Sequence, residues 1–259
     1  MQTVTSKDGT SIAFDRLGQG PAVILVSGGS VDRSSNAALA ELLAPHFTVY
    51  NYDRRGRGPS GDTPPYAVER EIEDIEAVAD AAGGTAYLYG SSSGAALALE
   101  AARTLPGKIT KLALWEVPYI PEGYPRPPAD TAQTFTRLVA EGRRGDAAEF
   151  FMAKVVGLPP EFVAQARQAP WWPNQEALAH TLAYDATIMG DYRLPADRAA
   201  QVTIPTLVLD GSASFPFMHE TAVTLASVLP NAQQRTLERQ THDVSAEALA
   251  SALTAFFAS

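Results

Sequence analysis

The chain of 259 residues contains no cysteine, which excludes disulfides, a thiolate nucleophile and cysteine-ligated zinc while leaving the redox compartment undecided. Histidine is scarce as well, with four in all, and no histidine and carboxylate grouping has metal-ligand spacing, so no metal is expected. Positive charge is in deficit: 20 Lys and Arg stand against 29 Asp and Glu, for a formal net charge of -9 with no basic stripe. Such a surface repels nucleic acid and anionic lipid, and neither is expected as a partner. No apolar run is long enough to span a bilayer, and the opening MQTVTSKDG lacks the charged-then-apolar pattern of a secretory leader. The expectation is a soluble, cytoplasmic protein. A glycine-rich dinucleotide or phosphate loop is also missing from the strand-to-helix junctions, so no cofactor is expected.

What is present is a 46% apolar composition, enough for one large α/β core with or without a small insertion. Residues 11–16, 22–26 and 47–52 read as strands, with a helix over about 36–44, and residues 69–82 carry apolar side chains at helical spacing. Two further strands, 86–89 and 111–115, flank an alanine-rich helix. Strands alternating with helices imply right-handed crossovers and a mostly parallel sheet covered on both faces. From 118 to about 200 no buried strand is evident. A proline-rich exit there leads into helical segments near 132–141, 147–156, 160–168 and 175–184, read as a helical lid inserted into the core. The core pattern returns with a strand at 206–209, a helix near 219–229, a short strand at 234–237 and a last helix at 246–257. The expected division is therefore a core of 1–117 with 201–259 and a lid of 118–200.

The sequence Gly90-Ser91-Ser92-Ser93-Gly94 falls between the 86–89 strand and the alanine-rich helix. In a strand, G-x-S-x-G, helix setting the central Ser92 sits on a sharp turn with its hydroxyl exposed above the sheet edge. The positive end of the following helix favours the negative charge of an acyl-transfer intermediate. A serine nucleophile needs a base. His46 opens a strand, His180 lies in the lid and His219 starts a helix, whereas His242 lies on the loop between the last strand and the last helix, from which it can reach Ser92. The oxyanion donors are expected to be the backbone amides of Ser93 and of Gly29, in Ser27-Gly28-Gly29-Ser30 after the 22–26 strand.

Together these features resemble the α/β-hydrolase superfamily over nearly the full length, which implies the α/β-hydrolase fold. The stretch Tyr52-Asp53-Arg54-Arg55-Gly56-Arg57-Gly58-Pro59-Ser60 is similar to that family's D-x-x-G-x-G-x-S loop, structural there, so Arg54, Arg55 and Arg57 receive no catalytic role. Two features depart from the common pattern. Ser27 stands where many relatives have histidine, and the place three residues after Gly211, where the family usually has its triad aspartate, holds Ser214. Some members instead place the acid at the end of the preceding strand. The lactone hydrolases that open the macrocycle zearalenone combine a similar S-S-G elbow with a glutamate before a short x-Pro exit, like Glu116-Val117-Pro118 here. The resemblance thus implies Glu116 as triad acid, with Asp210 as the alternative.

Serine, histidine, glutamate and two amides make an acyl-transfer site, so the expected reaction is hydrolysis of a small-molecule carboxylic ester or lactone through an acyl-enzyme. Epoxide hydrolysis and dehalogenation on this fold would want an aspartate at position 92. Alternatives on the same scaffold are cofactor-free perhydrolysis, acyl transfer to an acceptor other than water, or a ligand-binding protein with little turnover. Tyr119, Trp171, Trp172, Tyr184 and Met189 are the candidate lid residues for an apolar substrate pocket.

Overall fold

Short apolar runs of four to seven residues, too short for buried helices, assemble into one sheet of eight strands in this computed structural model, which describes residues 1–259. The strands are β1 (Gln2–Thr5), β2 (Ser11–Leu17), β3 (Ala22–Val26), β4 (Thr48–Tyr52), β5 (Ala86–Ser91), β6 (Ile109–Trp115), β7 (Thr206–Gly211) and β8 (Ala232–Leu237). Their order is β1-β2-β4-β3-β5-β6-β7-β8. β2 runs antiparallel to both its neighbours, and every pairing from β4 through β8 is parallel. The helices are α1 (Ala37–Leu43), α2 (Val68–Ala81), α3 (Ser93–Thr104), α4 (Thr131–Ala140), α5 (Arg144–Phe150), α6 (Pro160–Ala166), α7 (Trp172–Leu178), α8 (Leu182–Met189), α9 (Ala196–Ala199), α10 (Pro216–Val228) and α11 (Ala246–Phe257).

Side chains alternate across a strand, so each buried strand feeds two cores. Ile24, Val26, Leu88 and Leu112 pack on one face with Ile75 of α2, Leu97 of α3 and Leu225 of α10. Val23, Leu25, Ala113 and Leu207 pack on the other with Leu39 of α1 and Leu253 of α11. No helix is long and apolar enough to cross a membrane.

Between β6 and β7 the chain forms only helices, α4 to α9, with two small apolar clusters of their own. The expected helix at 147–156 is divided: α5 stops at Phe150 and a π-helical turn, Phe151–Val156, continues to Gly157 in the left-handed conformation. The expected 175–184 helix likewise becomes α7, a 3₁₀ turn (Ala179–Thr181) and α8. β1 and α9 were not expected from the sequence pattern.

Candidate active site

Parallel pairing brings the C-terminal ends of β3, β5, β6 and β7 side by side, where loops of an open α/β sheet gather ligand-binding groups. β5 ends at Ser91 and α3 begins at Ser93, so Ser92 alone makes the turn, at φ 54° and ψ -127°. A serine held there costs on the order of 1–3 kcal/mol, and the surroundings enforce it. The Ser92 N–H donates to the Trp115 carbonyl at 2.9 Å, and the Ser92 carbonyl accepts from Ala95 and Ala96 in the first turn of α3. Gly94 is required by close approach, since a Cβ there would lie 2.3 Å from the Ser27 oxygen.

Glu116 follows β6 directly and, like Ser92 and Ser30, is a non-glycine residue with positive φ, at 43°. Its N–H donates to the Leu209 carbonyl of β7 at 3.0 Å, and its side chain is fully buried. Three donors meet the carboxylate: the Gly211 N–H at 2.8 Å on Oε1, and the Ser214 hydroxyl at 2.8 Å and His242 Nδ1 at 2.6 Å on Oε2. An ionised carboxylate only accepts, so Nδ1 carries the proton in this pair and Nε2 is the ring nitrogen left to act as acceptor. The His242 loop is held a second time by the Trp115 indole N–H, which donates to the His242 carbonyl at 3.0 Å. It also lies so close to the end of β7 that a Cβ on Gly211 would come within 2.2 Å of the Gln240 oxygen.

Asp210 is engaged elsewhere. Its carboxylate pairs with His219 Nδ1 at 2.9 Å and accepts from Gln234 at 2.6 Å and Thr236 at 3.1 Å. Ser214, in the place where an aspartate was looked for, contributes a hydroxyl to Glu116 instead.

The loop carrying Gly28 and Gly29 lies against the elbow, with a Cβ on Gly28 falling 3.1 Å from Ser92 Cβ. Behind it, buried charges tie four segments together. Arg57 donates to the Gly28 carbonyl and to both Asp185 oxygens at 2.9 Å; Arg54 donates to Asp185 at 2.8 Å and to the Glu71 carboxylate at 2.7 and 2.8 Å. The Ser93 hydroxyl completes the set, donating to Asp185 at 2.8 Å. Burial pushes the Asp185 carboxyl up, but Arg57 and Arg54 outweigh it and hold the group below the usual carboxylate range. Arg55 serves a separate pair of carboxylates, Asp74 and Asp8.

A cavity of about 380 Å³ opens beside Ser92 and His242, and Gly28, Gly29 and Ser93 also line it. Of the five side chains expected to bind substrate, Met189 lines this cavity and the other four do not. Tyr119 is buried in the sheet core, and Trp172 packs among Ala148, Met152 and Val163. Tyr184 stacks on Tyr66 at 3.9 Å between ring centres and hydrogen-bonds Asp62, while Trp171 is 43% exposed. The lining instead uses Phe135, Phe151 and Leu182 from the inserted helices and Phe215, Phe217 and Met218 at the start of α10. The FPFM run directly after the Gly211 turn, on the same sheet edge as the elbow, was the available signal for the last three.

The profile of the Alpha/beta hydrolase family matches residues 23–252, and the chain belongs to that family. The crystal structure of an alpha/beta hydrolase from Sphaerobacter thermophilus is similar along the whole molecule, with 56% identity, a TM-score of 0.93 and coverage of 99% of this chain and 100% of that one. Among curated proteins, the uncharacterized hydrolase YraK of Bacillus subtilis is 36% identical over 36% of this chain and 35% of its own length. The pimeloyl-[acyl-carrier protein] methyl ester esterase of Xanthomonas campestris is 31% identical over 56% of this chain and 57% of its own. The match thus spans about a third of the first relative and just over half of the second.

Proposed function

We propose that this enzyme cleaves carboxylic esters or lactones through an acyl-enzyme on a Ser92-His242-Glu116 triad. The observation that carries the reading is the 2.6 Å contact of His242 Nδ1 with the buried Glu116 carboxylate, beside an elbow serine and an apolar cavity. In the first step Ser92 Oγ attacks the ester carbonyl and its proton passes to His242 Nε2, while Glu116 steadies the imidazolium. The amides of Ser93 and Gly29 stabilise the oxyanion. His242 then returns the proton to the departing alkoxide, and a water activated by the same imidazole releases the acid. The inserted helices of 118–200 act as the lid that shields these steps from bulk water. The methyl ester esterase among the relatives supports an ester as the bond cleaved.

The test is Ser92→Ala together with a serine-directed phosphonate. Ester turnover is expected to be lost with the fold kept, since only one hydroxyl oxygen is removed, and mass spectrometry is expected to find the label on Ser92 alone. Labelling of Ser91 or Ser93, or turnover near the parent rate in the alanine variant, would overturn the reading.

A further inference from the structure

Nine residues bury a side-chain nitrogen or oxygen with no hydrogen-bond partner, and of these only Asn36 lines the cavity beside Ser92. The residue is 6% exposed, and its Nδ2 is the unpartnered atom. A buried amide left unpaired is costly, so its presence calls for a compensating role. The usual structural role is not filled. Asn36 stands at the N-cap of α1, where asparagine ordinarily accepts from a first-turn N–H, yet its side chain makes no such bond. Around it the wall carries the polar Ser35 and Asp243 together with the apolar Leu39 of α1, Val244, and Ala246 and Leu249 of α11.

We infer that Asn36 is a substrate-binding residue whose carboxamide hydrogen-bonds an oxygen carried by the substrate away from the scissile bond. This rests on the reading of the site as an ester hydrolase and adds a substrate class: mainly apolar, non-anionic esters or lactones with a second oxygen function. The exclusion of anions follows from the lining. No Lys or Arg reaches the cavity, and its two carboxylates are Asp185, already held by Arg54 and Arg57, and Asp243 beside His242, so an anionic substrate would find no counter-ion and would meet like charge. The broad last torsion of asparagine lets the amide turn its NH₂ group to a carbonyl, ether or hydroxyl oxygen seated against the wall.

The experiment compares matched esters in the intact enzyme: 4-nitrophenyl hexanoate against its 4-oxo and 5-oxo analogues, and butyl acetate against 2-methoxyethyl acetate. The parent enzyme is expected to favour one oxygenated member by at least about fivefold in kcat/KM, the yield of one neutral hydrogen bond. In Asn36→Leu that ratio is expected to fall to about one. The same variant reports on folding separately, because an amide without a protein partner is replaced by an apolar group of similar size, so Tm is expected to hold or rise. A ratio near one throughout the parent series, a ratio kept in the variant, or a Tm several degrees lower overturns the role of Asn36. Failure of the parent enzyme to hydrolyse any of the plain esters would instead bring down the hydrolase reading, and this inference with it.

Discussion

A carboxylate placed one residue beyond the end of β6 must reach across the end of β7 to meet a histidine arriving after β8, and glutamate has the extra methylene for that span. The backbone of Glu116 supplies the direction by turning to positive φ, and Gly211, Ser214 and His242 fix the carboxylate once it is there. If Glu116 orients His242 for proton transfer, Glu116→Gln, which keeps shape and removes charge, is expected to lower kcat toward a 4-nitrophenyl ester by roughly 10³ to 10⁴. Asp210→Asn is expected to stay within about tenfold, because that carboxylate faces His219, Gln234 and Thr236. Reversed results would move the acid to β7. The proposed triad of Ser92, His242 and Glu116 could be nominated from the sequence because the elbow spacing, the last-loop histidine and the serine in the aspartate position each leave a local mark. The Ser214 hydrogen bond and the unpaired Asn36 amide leave none, since both depend on where separate loops meet. Aromatic side chains were misread for a related reason: at Tyr119 and Trp172 they report burial, not which void they border.

At the scale of elements, α8 is joined to the elbow by charge as well as by packing. Asp185 on α8 is the only carboxylate bonded to Arg57 and also receives the Ser93 hydroxyl, so one helix of the inserted segment anchors both the Ser92 turn and the glycine loop. Asp185→Asn strands the Arg57 charge in the interior and is expected to cost about 3–5 kcal/mol in urea unfolding, the usual result of breaking a buried pair from one side. The pH dependence has a definite sign. Because the folded-state carboxyl lies below its unfolded value, the stability gap between parent and variant is expected to be full above the ordinary aspartate range near pH 4 and to shrink as the pH falls through the lower folded-state value. A gap that widens on acidification would contradict this assignment. None of this was visible in the sequence beyond the three arginines of the loop after β4, because their partners lie 17 to 131 positions away.

For the whole molecule, the alternation of apolar runs with amphipathic stretches was enough to read the parallel sheet, its two cores and the helical segment between β6 and β7. β1 escaped because its four residues are mostly exposed on an outer edge, where no core imposes an apolar pattern. The opposite edge is β8, paired on one side only, and its side chains alternate between half-buried and exposed. The chain passes from this strand straight into the loop that presents His242. Edge strands fray before central ones, so partial opening at this rim releases His242, the proposed base, while β3, β5 and β6 remain intact. Amide exchange is expected to be faster at 232–237 than at 86–91. On gradual warming, esterase activity is expected to vanish at a lower temperature than the far-ultraviolet circular dichroism signal, making catalysis a more sensitive thermometer of this fold than its secondary structure.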